Sequence, residues 1–344
     1  MSADIHIRTD AQAGRITLTR PQALNALTYD MAMAIDQALQ DWATDDDIRL
    51  VVIDAEGTRA FCSGGDIQDL YDKGRAGDFA YGQAFWRDEY RLNDRLAEFP
   101  KPIISLMQGF TMGGGVGIGC HASHRVVGDS SQIAMPECGI GLVPDVGGSL
   151  LLARAPGRLG DYLGLSAARM GPGDAIHAGF ADHYLPEAEW PALVATLIET
   201  GDAGAVARAA QPAPASDLAA KQAVIDRLFD SGDLPSIAVS CDAERDDLAV
   251  GIRKALLRNS PLSMACTLKM LGNLRESHAD LRAALTLEYR FTARAMEHGD
   301  FLEGIRAQII ERDRKPRWKH ALISVPEAAV ERMLAPLGAQ ELSF

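Results

Sequence analysis

Residues 102–148 read PIISLMQGFTMGGGVGIGCHASHRVVGDSSQIAMPECGIGLVPDVGG, and the rest of the chain is organised around them. The apolar run 102–107 has the length and composition of a buried strand. It turns through Gly109 into Gly113-Gly114-Gly115-Val116-Gly117-Ile118-Gly119, which predicts a glycine-led helix near 113–121. Glycines at a strand–helix turn let bare backbone N–H groups come close to a ligand. The stretch closes on Glu137 and Asp145, the only charged residues between 130 and 152. Two carboxylates in apolar, glycine-rich surroundings suit nucleophilic attack or proton transfer near neutral pH, because partial burial raises a carboxylate's pKa.

Working outward, alternating runs at 5–7 and 15–18 around Ala13-Gly14 predict a hairpin. After a loop over 20–27, Thr28 reads as a helix N-cap, with Met31, Ile35, Leu39 and Trp42 at helical spacing. Leu50-Val51-Val52-Ile53 is a continuous apolar run, the mark of a buried parallel strand. Ser63-Gly64-Gly65-Asp66 forms a second glycine turn leading into a helix, and another helix over 82–99 ends at Pro100. A strand at 124–128 and helices at 147–153, 158–165, 173–179 and 188–199 continue the alternation of an α/β domain. Residues 201–216, GDAGAVARAAQPAPAS, read as a linker. Beyond them only helices are predicted, at 217–230, 243–258, 261–274, 279–298, 301–312 and 326–336. The expected organisation is therefore an α/β core over 1–200, a linker over 201–216 and an α-helical C-terminal region over 217–344.

A net charge of −13 argues against a nucleic-acid surface, although a few basic residues at one pocket would still suffice for an anionic substrate. Five cysteines, odd in number and without CxxC spacing, suggest reduced, buried thiols. The N-terminal residues show neither a signal-peptide core nor a basic amphipathic helix, and no long apolar run is free of charge and proline. The expectation is a cytoplasmic enzyme with no membrane span.

If the strands before the two glycine turns are neighbours, both turns open at one sheet edge. The N–H groups of Gly65 and Gly114 then converge as an oxyanion hole. Competing motifs fail. Gly117-x-Gly119-x-x-Ala122 lies too far from its strand for a dinucleotide fingerprint, and no Gly-Lys-Ser/Thr phosphate loop occurs. There is no Gly-x-Ser-x-Gly elbow. Cys120, His121 and His124 lack the spacing of a zinc site, so no metal is expected.

The two glycine turns, Pro136-Glu137 and Gly139-Ile140-Gly141-Leu142-x-Pro144-Asp145-Val146-Gly147-Gly148 resemble the crotonase (enoyl-CoA hydratase/isomerase) superfamily. Asn259-Ser260-Pro261-Leu262-Ser263, Glu288-Tyr289-Arg290, the run from Asp300-Phe301 to Ala307, and Lys315-Pro316-Arg317-Trp318 narrow the resemblance to its 3-hydroxyisobutyryl-CoA hydrolase branch, over about residues 5–320. The resemblance implies a crotonase-like ββα spiral core with an α-helical C-terminal region. It implies Glu137 as the acting carboxylate with Asp145 beside it, the Gly65 and Gly114 amides on the thioester oxygen, and CoA near Ala23, Leu24 and Ser63. Glu288 and Arg290 read as structural.

Typical hydratases carry a second glutamate where this chain has Gly117, so hydration should be poor and thioester hydrolysis favoured. An enoyl-CoA hydratase/isomerase and a non-catalytic acyl-CoA binding relative are the alternatives. No separate cofactor is implied, since CoA is part of the substrate. The implied partner is a small acyl-CoA, and a homo-oligomer is compatible with the resemblance.

Overall fold

The structure, a computed structural model, describes residues 4–244 and 246–344. Arg245, inside the helix expected over 243–258, and residues 1–3 lie outside that description. The strands are β1 (Ile5–Asp10), β2 (Ala13–Leu18), β3 (Leu50–Ala55), β4 (Ala60–Cys62), β5 (Ile103–Met107), β6 (Phe110–Met112), β7 (His124–Val127), β8 (Gln132–Ala134) and β9 (His183–Tyr184). The helices up to the middle of the chain are α1 (Tyr29–Ala43), α2 (Gln68–Arg75), α3 (Phe79–Ala97), α4 (Gly114–Gly119), α5 (Gly148–Arg154), α6 (Leu159–Ser166), α7 (Pro172–His177), α8 (Trp190–Thr200) and α9 (Gly204–Ala209). They are followed by α10 (Asp217–Leu228), α11 (Leu234–Ala243), α12 (Asp247–Arg258), α13 (Pro261–Ser277), α14 (Leu281–Ala295), α15 (Phe301–Ile305) and α16 (Glu327–Leu334).

Contacts divide the chain into two compact units, each built from three separated segments. The first comprises Met1–Asp66, Asp88–Ala134 and Arg169–Ala219. Its larger sheet has the order β1-β2-β3-β5-β7-β9, antiparallel only between β1 and β2 and parallel thereafter. Leu50, Val52, Ile104, Leu106 and Val126 join Trp190, Leu193, Leu197 and Val206 in one buried cluster. Val51 and Ile53, on the opposite face of β3, are equally buried, which is why that strand reads as an unbroken apolar run. Thr28 accepts a hydrogen bond from the Met31 amide and so starts α1, whose Met31, Ile35, Leu39 and Trp42 are buried as their spacing predicts.

A smaller parallel sheet, β4-β6-β8, holds the short strands on which both glycine turns are mounted. Residues 201–216, expected as a linker, carry α9 with Ala205 and Val206 buried, and belong to this first unit.

The second unit comprises Ile67–Arg87, Met135–Ala168 and Ala220–Phe344. The helices predicted beyond residue 217 form, with two corrections. The helix expected over 243–258 begins at Asp247, capped by Asp246, because α11 occupies 234–243. The helix expected over 301–312 leaves α-geometry at Arg306 for a π-turn through Ile310. Within this unit α13 packs on α5 and α6, and α14 packs on α5 and α16. The turn 137–140 is packed by α6 and α15.

Candidate active site

The first unit brings the two glycine turns together. β4 and β6 are parallel neighbours, so the chain leaves both at the same edge. A Cβ built on Gly114 would lie 3.3 Å from the Gly65 nitrogen, which sets the two backbone segments side by side. The approach requires glycine. A Cβ on Gly115 would sit 2.3 Å from the Cys62 carbonyl oxygen, and Gly64 and Gly113 adopt φ of 115° and 47°.

Loop 20–27 is hydrogen-bonded to the same turn. The Ser63 amide donates to the Leu24 carbonyl at 3.0 Å, and the Leu27 amide to the Gly64 carbonyl at 2.9 Å. Ala23 closes a short 3-10 turn and Leu24 follows it at φ 52°, so Leu24 lies beside Ser63, with Ala23 next to it in the chain. Asn25, which sequence reasoning passed over, fixes that loop. It is buried, its side-chain amide donates to the Glu56 and Ala60 carbonyls at 2.9 Å, and its side-chain oxygen accepts from the Arg20 amide.

A second residue the sequence reading passed over is Glu89, 4% exposed. Its Oε1 lies 3.0 Å from the Cβ position of Gly114. The available signal was helical phase, since Glu89 shares the buried face of α3 with Phe85, Tyr90, Leu92 and Leu96.

The second unit holds the acids. Glu137 opens the 3-10 turn Glu137–Ile140 and is 4% exposed; Asp145 is 5% exposed. Burial first, then the Asp145 charge and that of Glu288, push the Glu137 carboxyl well above its ordinary range. Its Oε2 is buried and, among the described residues, has no hydrogen-bond partner. The turn is held from the C-terminal helices. The Ser260 amide donates to the Cys138 carbonyl at 2.9 Å. A Cβ on Gly304 would stand 2.1 Å from the Ile140 carbonyl oxygen, and one on Gly141 2.5 Å from the Asp300 backbone.

A buried carboxylate with an unengaged oxygen is a competent nucleophile or base, and paired backbone amides are suited to an oxyanion. Gly117, within α4, offers no second carboxylate.

Together with the parallel β-sheets and helical C-terminal region, these features define a crotonase-fold protein. A family model described as "Enoyl-CoA hydratase/isomerase" matches residues 13–334, and the chain belongs to that family. More narrowly, it is similar to the protein named "3-hydroxyisobutyryl-CoA hydrolase, mitochondrial" of Rattus norvegicus, at 36% identity over 100% of this chain and 91% of the relative. Among solved structures, one described as an enoyl-CoA hydratase from Rhodobacter sphaeroides 2.4.1 superposes with a TM-score of 0.96 at 59% identity, covering 99% of this chain and 100% of that one. Another, described as a carnitinyl-CoA dehydratase from Mycobacterium thermoresistibile, has a TM-score of 0.94 at 38% identity, covering 100% and 99%.

Proposed function

We propose that this chain hydrolyses the thioester of a short β-hydroxyacyl-CoA, 3-hydroxyisobutyryl-CoA foremost, to the free acid and CoA. The observation that carries the reading is Glu137. It is a buried carboxylate with a raised pKa and an unengaged Oε2, on a chain similar throughout its length to 3-hydroxyisobutyryl-CoA hydrolases.

In the proposed mechanism a Glu137 oxygen bonds to the thioester carbon, and the carbonyl becomes an oxyanion that the Gly65 and Gly114 amides receive. Each such donor contributes about 3–4 kcal/mol. Collapse breaks the C–S bond, leaving a mixed anhydride on Glu137 and a CoA thiolate that takes up a proton. Water then attacks the Glu137 carbonyl carbon of the anhydride and breaks its bond to the bridging oxygen, which leaves with the acid, so the restored carboxylate carries one water oxygen. Asp145 positions that water or accepts from the substrate hydroxyl. In the alternative route Glu137 is a general base for direct attack by water. Glu89, beside Gly114, presents side-chain oxygen to which a hydroxyl on the acyl group can donate. CoA, arriving with the substrate, lies along Ala23, Leu24 and Ser63, and no further cofactor takes part.

A second reading, enoyl-CoA hydration, is favoured by the 59% identical structure, which is described as a hydratase. Against it stands Gly117, at the position where the family resemblance implies a second glutamate in typical hydratases.

The test is thiol release from 3-hydroxyisobutyryl-CoA, 3-hydroxypropionyl-CoA and crotonyl-CoA by the wild type and Glu137→Gln. Release from the hydroxyacyl esters, reduced at least about 1,000-fold in the variant, is expected. Loss of crotonyl-CoA absorbance without thiol release would establish the hydratase instead. Single turnover in oxygen-18 water separates the two routes, because only the anhydride route puts label into Glu137.

A further inference from the structure

Asp145 sits in a turn that its own sequence does not stabilise. Val146, a β-branched residue, has φ 52°, and Gly147 follows at 78°. A left-handed valine is strained and persists only where its surroundings impose it, and such strain gathers at functional sites. The Gly148 amide closes the turn on the Asp145 carbonyl at 2.7 Å. α5 then begins without a side-chain cap of its own, since its N-cap residue is Gly147. The missing acceptor comes from 141 residues away in sequence.

Glu288 of α14 is fully buried and accepts from the Gly147 amide at 2.8 Å and the Ser149 amide at 3.1 Å. It also accepts from the Ser149 hydroxyl. Three donors from one turn therefore converge on one carboxylate.

We infer that Glu288 is the positioning residue of this active site: it clamps the strained Asp145–Ser149 turn from α14 and so sets the place of Asp145 and the charge around Glu137. The role rests on the hydrolase reading for its catalytic meaning, while the clamp itself does not.

The charges that reach Glu288 are few. The Asp145 charge acts on it and its own acts on Glu137, whereas neighbouring cations are engaged elsewhere. On α14, Arg290 pairs with Glu341 and Arg294 donates to the Arg290, Met333 and Ala335 carbonyls. On α5, Arg154 donates to the Ala279 carbonyl; on α13, Arg275 pairs with Asp161 and Lys269 is exposed. On α16, Glu327, Glu331 and Arg332 are exposed. Burial pushes the Glu288 carboxyl up to about 8 despite its three donors. Glu288 and Glu137 thus lie in one uncompensated acidic cluster, and a proton on either is felt by the other.

The test compares wild type, Glu288→Gln and Ser149→Ala. Glutamine keeps the volume but offers one acceptor oxygen where the clamp uses two, and carries no charge. Thiol release from 3-hydroxyisobutyryl-CoA is followed from pH 5 to 9, with melting temperature as the folding control. Expected for E288Q is a fall in kcat of at least tenfold with KM changed less than threefold, and loss of the inflection near pH 8. S149A, which removes only the hydroxyl contact, should lose less, about threefold, and carries the test should E288Q not fold. An unchanged kcat and pH profile in folded E288Q, or in S149A if that alone folds, overturns the proposal.

A second arm is independent of turnover. In protein with 13C-labelled glutamate side chains, the highest titration midpoint of Glu137 should fall in E288Q by half a unit or more, and an unmoved midpoint overturns the proposal. If the wild type releases no thiol, the hydrolase reading fails, and this arm still decides whether Glu288 sets the charge around Glu137.

Discussion

At the scale of single residues, Glu137 and Glu288 hold protons in the folded protein at pH values where exposed carboxylates have lost theirs. For Glu288 the window runs from the ordinary 4.5 to about 8. The unfolded chain binds fewer protons there, so stability falls as pH rises through the window. The melting temperature should therefore decline from pH 5 to 8, and less steeply in Glu288→Gln. Equal slopes in the two proteins would contradict the buried, proton-holding state of Glu288. Catalysis runs in the opposite sense. In the proposed mechanism the reactive form of Glu137 is the carboxylate, so turnover should rise with pH along a limb displaced above the usual carboxylate range.

Among elements, the short turn Glu137–Ile140 is held closely by segments distant in the chain. Its carbonyls and glycines are met by Ser260 at the start of α13, Asp300, and Gly304 in α15. Ser260 is itself tied to Asp300 at 2.7 Å, so the three contacts form one brace. Gly304→Ala places a methyl 2.1 Å from the Ile140 carbonyl oxygen, so one of the two backbones must shift. Overpacking of that kind costs about 1–3 kcal/mol. The expected result is a melting temperature several degrees lower and a loss of turnover larger than Gly272→Ala produces. Gly272, on exposed space in α13, meets nothing within 4 Å, and an equal response at both positions would sink the brace. The family motifs around Ser260 and Asp300 thus have a mechanical meaning. They hold the Glu137 turn from outside the α/β sequence that contains it.

On the scale of the whole molecule, the interleaving of the units decides what can be removed. The segment Met135–Ala168, which carries Glu137 and Asp145, belongs with Ala220–Phe344. Cutting the chain after residue 216 leaves α5 and α6 without α13 and α14, and Leu150, Leu152 and Leu163 without their cover. Such a fragment should show no thiol release and no cooperative melting of the Glu137 segment, measured by amide exchange over residues 135–168. Protection there equal to the full chain's would mean that the helical region is dispensable. The C-terminal helices are therefore part of the scaffold of the segment that carries Glu137 and Asp145, in keeping with a family match that runs from residue 13 to 334.

Much of this was legible in the sequence because its causes are local. Continuous apolar runs specify strands buried on both faces, as at Leu50–Ile53, and the Thr28 cap with its 3.6-residue repeat specifies α1. The two glycine turns and the isolated acids Glu137 and Asp145 announce chemistry by residue type alone. What needed the tertiary structure was every feature set by partners distant in the chain. Glu89 is an ordinary helix acid until the fold places it beside Gly114, and α11, though Leu234, Ile237, Ala238 and Cys241 keep helical spacing, carries Pro235 and an exposed Val239 that blur its apolar face. Glu288 reads as one residue of a helical motif, yet 141 residues upstream lies the turn it holds. Sequence pattern records what each segment does with its own neighbours. Burial of three acids in one cluster, and the clamp that holds their turn, arise only when segments far apart in sequence exclude water together.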